Sequence, residues 1–164
     1  MERIETKRLI LRCFTADDWR DFQELAFDWQ AAPGPAFDKW RTSEEACKDF
    51  VEYMSTKDQC FAVCLRESGR IIGLLAINAI DCEKQLDLGH VFLSTYQDND
   101  HDKEALHALI QHCFDYSGAS SIVTRNAAEH TEQLAPLKSL RFTNRNPGNS
   151  GELAIGKEEW NRRR

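Results

Sequence analysis

Apolar residues recur along this chain in two rhythms, and the points where the rhythm changes mark its elements. Arg8 to Phe14, RLILRCF, alternates as a half-buried strand does. Thr15 then precedes Ala-Asp-Asp-Trp, an N-cap with an acid at the third position beyond it. It opens a helix in which Trp19, Phe22, Leu25 and Ala26 share a face. Residues 31–40, AAPGPAFDKW, form a loop by their two prolines and glycine. Thr42 and Ser43 precede EEACKDFVEYM, a second helix with Ala46, Phe50, Val51 and Met54 turned inward. Cys60 to Leu65 is a strand, and Glu67-Ser68-Gly69-Arg70 is its hairpin turn. Ile71 to Ile80 is a near-continuous apolar run, which predicts a strand covered on both faces.

Asp81 to Gln85 is a polar connection, and Leu86 to Leu93 the next strand. A short polar loop follows. After Asp102 the apolar residues fall at Leu106, Leu109, Ile110, Cys113 and Phe114, which is helical spacing, and Gly118 ends that helix. Ser121 to Arg125 is a short strand. His130 to Leu140 is partly helical, with Pro136 forcing a late start or a bend. Arg141 to Arg145 and Glu152 to Gly156 read as a last antiparallel pair, and Asn161 to Arg164 as a frayed tail. The order β α α β β β α β α β β predicts an α/β or α+β domain, helices packed on one sheet, with residues 1–164 as a single unit.

A chain of 164 residues can bury a sizeable core without disulfides or metal. Its formal charge of −6 argues against nucleic acid as the main partner. MERIETKR has no apolar stretch that would make a signal peptide, and Ile71 to Ile80 is too short to span a bilayer. A cytoplasmic location without membrane attachment is expected. Six cysteines stand at 13, 47, 60, 64, 82 and 113 without a C-x-x-C pair or zinc spacing, so they read as reduced, mostly buried thiols.

The element order, together with ETKRLILRCFTADDW at the front, resembles the GNAT superfamily of acyl-CoA N-acyltransferases, and within it the Rim-type ribosomal-protein N-terminal acetyltransferases. The residues that carry the likeness are Glu5, Thr6, Arg8, Leu9, Leu11, Arg12, Phe14 and Asp18, then Gly73, Gly89, Tyr96-Gln97, Glu104-Ala105-Leu106, and Leu140 and Phe142 of a closing L-G-F. The resemblance implies a three-layer fold with a central, mostly antiparallel mixed sheet of six to seven strands and about four helices. It implies transfer of an acetyl group from acetyl-CoA, lying between two splayed strands, to a primary amine: a peptide N-terminus or a small molecule. A homodimer is left open. The cofactor would meet the backbone of Phe92, Leu93, Asn99 and His101, with Gln97 and Lys103 beside it.

The pyrophosphate loop of that family, Q/R-x-x-G-x-G/A, here reads Gln97-Asp98-Asn99-Asp100-His101-Asp102. Asp100 and Asp102 replace the two small residues, and Asp98 replaces a further glycine common in the branch. His130 stands for an Asn, Gln133 for a frequent Ser, and Arg141 for the Gly of L-G-F. A carboxylate about 4 Å from a phosphate charge costs on the order of 4 kcal/mol at an effective dielectric of about 20. Three readings of the acids remain open. They cap the helix N–H groups and fill the anion site from within; they bind a cation, although Lys103 and Leu109 stand where a calcium loop needs Gly and Glu; or the loop is rearranged.

Asp87 stands where many members of the branch have a glutamate facing the gap, so it is the candidate general base, and His90 could share that role. Each also has a plain reading, a strand-end carboxylate in solvent and a packed histidine. His107 and His112 are spaced as surface residues. Two functions are thus carried forward: an N-acetyltransferase, and a non-catalytic binding or interaction module of the same fold that no longer holds CoA.

Overall fold

The computed structural model describes residues 3–97 and 99–162. Its strands are β1 (Ile4–Glu5), β2 (Leu9–Cys13), β3 (Cys60–Leu65), β4 (Ile71–Ile80), β5 (Gln85–Phe92), β6 (Ser121–Arg125), β7 (Thr143–Asn144) and β8 (Glu152–Gly156). The helices are α1 (Trp19–Ala31), α2 (Glu44–Ser55), α3 (His101–His112), α4 (Thr131–Ser139) and α5 (Lys157–Asn161). The strands form one sheet in the order β1-β2-β3-β4-β5-β6-β8-β7. Every neighbouring pair is antiparallel except β5 and β6, which run parallel.

The expected class holds, with eight strands rather than six to seven and five helices rather than four. The additions are short. β1 and β7 have two residues each, too few to show a period of two. α5 occupies part of the tail expected to fray, because Trp160 is buried and donates its indole N–H to Gln111 Oε1 at 2.9 Å. Residues 163 and 164 of that tail lie outside the described residues.

Capping chemistry sets the helix starts. The Asp18 carboxylate takes the Thr15 N–H at 2.7 Å and is gripped by both terminal nitrogens of Arg12, at 2.7 and 2.8 Å. A 3-10 turn over Ala16–Asp18 leads from this knot into α1. Ser43 Oγ accepts the Ala46 N–H at the start of α2. Gly118 closes the widened last turn after α3 at φ +71, a conformation glycine reaches without strain. α4 runs from Thr131 through Pro136 to Ser139. The proline forfeits a single backbone bond there.

β4 corrects one expectation. Its first seven residues are buried, but Asn78, Ala79 and Ile80 are exposed, beyond a register shift between Ile77 and Ala79. Gly73 has a clear reason to lack a side chain: a Cβ there would lie 2.5 Å from the ring of Phe92.

The front motif is a clamp. Glu104, in the first turn of α3, accepts from Thr6 Oγ1 at 2.6 Å, Arg8 N at 2.9 Å and Arg8 Nε at 2.6 Å. Arg8 Nη1 also donates to the Asn99 carbonyl at 3.0 Å. The resemblance's Thr6, Arg8 and Glu104 are therefore one contact, fastening α3 and the loop before it to the sheet edge. Among the described residues no helix is long and apolar enough to cross a membrane. All six cysteines are free thiols, four of them buried.

Candidate active site at the parted strands

β5 and β6 pair only at Gln85–Ser121, Leu86–Ile122 and Asp87–Val123. Beyond Asp87 the strands part. The ladder on the other side of β5 fixes what faces this splay. Leu93 N–H donates to Ile72 O at 2.9 Å, so Ile72 and Leu93 are a hydrogen-bonded pair. Pairs alternate in an antiparallel ladder. Phe92, opposite Gly73, and His90, opposite Leu75, are then the non-bonded kind. Their N–H and C=O groups turn away from β4, into the splay. The Phe92 N–H, expected to face the cofactor, is thus left free by β4. That of Leu93 is not, because it belongs to β4.

Side chains alternate along β5 as well. His90 lies on the face of Leu86, Leu88 and Phe92, and Asp87 on the opposite one, so the two candidate bases are not brought together. Asp87 Oδ2 is held by Arg125 Nη1 at 2.5 Å across the closed end of the pair. His90 is 6 % exposed and its Nε2 lies 3.0 Å from Gln133 O of α4. A carbonyl only accepts, so Nε2 carries the proton. Burial, with a smaller push from His130, drives its pKa down to about 4, and the ring is neutral at pH 7.

A cavity of about 260 Å³ opens where the strands part. Its walls are Trp29, Ala32 and Pro33 from the end of α1, Phe92 and Ser94 from the end of β5, and His130 and Gln133 at the start of α4. Several contacts hold these walls. Trp29 Nε1 donates to Asp38 O at 2.7 Å, and Lys39 Nζ caps the end of α1 on the carbonyls of Trp29 and Ala32. Asp28 receives Ser94 N and Oγ, each at 2.8 Å, tying α1 to β5. His130 stands edge-on to Trp29, ring centroids 4.7 Å apart, and burial lowers its pKa. It packs over Gly34 (φ +133), where a Cβ would come within 2.0 Å of Nε2.

Next to this cavity lies a groove of about 400 Å³, lined by Ser94, Gln97, Asp100, Asp102, Glu132, Ala135, Pro136 and Ser139. Ser94, Gln97 and Glu132 border both. Gln97 thus sits between the cavity and the groove. Asp100 holds φ +56 and ψ +19, the left-handed conformation that glycine would supply. Arg141, in the other glycine's place, does the same at φ +65. At these two positions a non-glycine residue adopts the conformation that favours glycine.

The capping expectation is met in one part only. The Asp100 side chain caps nothing. Asp102, 4 % exposed, accepts the Lys103 N–H at 2.7 Å. Asp98 lies outside the described residues. Asn99 is exposed, with its carbonyl turned to Arg8. His101 stands edge-on to Tyr96 at 5.5 Å, and burial lowers its pKa. No group of acids, cysteines and histidines suited to a metal ion occurs among the described residues.

Comparison with known proteins decides the family. The model of the acetyltransferase (GNAT) domain matches residues 8–143. The chain belongs to the GNAT acetyltransferase family. This GNAT domain is 26% identical over 141 residues to the uncharacterized N-acetyltransferase YnaD of Bacillus subtilis (strain 168), covering 84% of this chain and 80% of that protein. Its fold matches a GNAT-family acetyltransferase from Bacillus anthracis with a TM-score of 0.83 at 19% identity, over 96% of this chain and 100% of the other. It also matches RimL, a ribosomal L7/L12 alpha-N-protein acetyltransferase solved in complex with coenzyme A, with a TM-score of 0.76 at 17% identity, over 94% and 98% of the two chains.

Trp29, His130 and Gln133 as cavity walls were not foreseen from the sequence. His130 and Gln133 had registered only as departures from the family pattern, and Trp29 had not been singled out. Gly34, beside two prolines, was the available signal that the loop passes close to something.

Proposed function

We propose that this protein transfers an acetyl group from acetyl-CoA to a primary amine. The observation that carries the reading is the open edge of β5. His90 and Phe92 turn backbone donors and acceptors into the splay, as an unpaired strand does for an added one. An amide-bearing pantetheine arm suits such an edge, with Gln97 and the left-handed turn at Asp100 beyond it. The amine, once neutral, attacks the thioester carbonyl. A C–N bond forms, the C–S bond breaks, and the sulfur leaves as CoA thiolate. One proton passes from the amine nitrogen, through water, to the sulfur, leaving an amide and a thiol. In this reading His90 orders the splay through its bond to Gln133 O, and Asp87 braces the closed end of the strand pair with Arg125.

One observation favours the second reading, a scaffold that has lost CoA. Asp100, Asp102 and Glu132 line the groove into which a diphosphate would lead. Titration calorimetry with acetyl-CoA in the absence of divalent ions separates the two. The transferase reading expects micromolar binding, and the double variant Asp100→Gly, Asp102→Ala at least about tenfold tighter, since solvent removes much of the roughly 4 kcal/mol unscreened repulsion. No binding by either protein overturns the transferase reading. Binding by the variant alone establishes the scaffold reading.

A further inference from the structure

Arg8 reaches the loop before α3 without touching the space a ligand would fill. Its backbone is pinned on both sides: the N–H donates to Glu104 Oε1 at 2.9 Å, and the carbonyl accepts the Arg66 N–H at 2.8 Å. From that fixed post the guanidinium spreads two donors, Nε to Glu104 Oε2 at 2.6 Å and Nη1 to the Asn99 carbonyl at 3.0 Å. A planar fork serves both acceptors at once, whereas the single ammonium of a lysine is drawn to the carboxylate. Arg8 lines neither the cavity nor the groove, so its influence on a ligand there passes through the loop.

The second donor holds the peptide between Asn99 and Asp100. No peptide bond among the described residues is cis, and in a trans peptide the carbonyl and the following N–H point opposite ways. With the Asn99 carbonyl turned to Arg8, the Asp100 N–H points away from it, while Asp100 lines the groove. This orientation is the strained one. Asp100 holds φ +56, and turning the peptide over would carry that angle to a negative value, which side chains other than glycine's prefer. It would also aim the Asn99 carbonyl at the groove, an acceptor where a phosphate oxygen needs a donor. The bond from Arg8 opposes that turn.

We propose that Arg8 is the positioning residue of this loop: its bond to the Asn99 carbonyl keeps the Asp100 N–H directed into the groove, as a donor to the diphosphate of coenzyme A. The inference rests on the transferase reading for the identity of that ligand. It gives a loop without glycine at position 100 a means of presenting a backbone donor that glycine would present unaided. Arg8 is not the counter-ion of the diphosphate, because its charge is already met by Glu104.

NMR titration of the full chain tests it, with coenzyme A and with pantetheine, which has the same arm and no diphosphate. Arg8→Lys should weaken coenzyme A about tenfold and pantetheine by less than about twofold. In the parent, the Asp100 amide proton should move downfield with coenzyme A and stay in place with pantetheine, a readout that needs no variant. The residue at position 100 separates positioning from a merely structural loss. Asp100→Ala removes the charge and keeps the strain, so adding Arg8→Lys should again weaken coenzyme A about tenfold. Asp100→Gly removes both, and adding Arg8→Lys should then cost only about twofold, since glycine takes either orientation about equally. Equal weakening of the two ligands, an equal factor in the alanine and glycine backgrounds, or an Asp100 amide that coenzyme A leaves in place overturns the proposal. If coenzyme A binds and Arg8→Lys does not weaken it, the proposal fails and the transferase reading stands. If neither ligand binds any of these proteins, both fall.

Discussion

The first turn of α3 holds carboxylates in two opposite settings. Glu104 points to the sheet edge and is met there by three donors from Thr6 and Arg8. Asp100 and Asp102 line the groove, which they share with Glu132 and, among the described residues, with no basic side chain. Burial alone would raise the pKa of Glu104, yet the hydrogen bonds from Thr6 and Arg8 outweigh it and hold the carboxyl below its ordinary value. One helix end thus uses negative charge to fix the fold and also collects it where a diphosphate would have to pass. The same residue type binds the molecule together on one side and sets who may enter on the other.

Removing the partnered acid should have the larger effect. Glu104→Ala strands Arg8 and the Thr6 hydroxyl, and is expected to cost about 3–4 kcal/mol. That would lower the melting temperature by roughly 6–16 °C in thermal unfolding, at about 2–4 °C per kcal/mol for a chain of this size. A smaller change than that caused by Arg66→Ala, whose surface pair with Glu5 is worth under about 1 kcal/mol, would refute the clamp.

His90 supplies the next largest effect and a neutral contrast to the acids. The unfolded ring takes a proton below about pH 6.5, and the folded one refuses it until about pH 4. Its folded pKa is depressed, so stability falls as pH drops through that window, by roughly 3 kcal/mol for this group. His90→Gln should flatten the unfolding profile between pH 6.5 and pH 4 relative to the parent. An unchanged slope would mean that the ring is not held neutral.

The groove acids should give the smallest change, of opposite sign. Asp100 occupies a left-handed conformation, so Asp100→Gly relieves strain and is expected to stabilise by about 0.5–1 kcal/mol, read from the midpoint of urea unfolding. A loss of more than about 1 kcal/mol would place Asp100 with Glu104 as a structural acid and dissolve the contrast.

Much of this was legible in the sequence, for reasons that differ by element. β2, with α1 and α2, announces itself because one face is buried and the period shows, whereas β3 and β6 are buried on both faces and show only as short apolar runs. β1, β7 and α5 are too short for a period, and exist because of partners distant in sequence. Within the candidate site, Phe92 and Gln97 were named through the resemblance, by their places at the end of a strand and in the loop after it. That Leu93 turns to β4 and Phe92 to the splay depends on ladder register, which alternates residue by residue and is not written in composition. Asp87, named through the resemblance, and His90, three residues on, were both expected at the gap, and the pleat puts them on opposite faces of β5. Trp29 and Gln133 were out of reach for another reason: a cavity belongs to several elements at once, and no single one carries its pattern.

Only three residue pairs join β5 to β6. The sheet is therefore two plates sewn by a short seam, with β1 to β5 on one side and β6, β8 and β7 on the other. The wedge beyond Asp87 is thus built into the ladder itself and stands open before any guest arrives, while one hydrophobic core spans both plates.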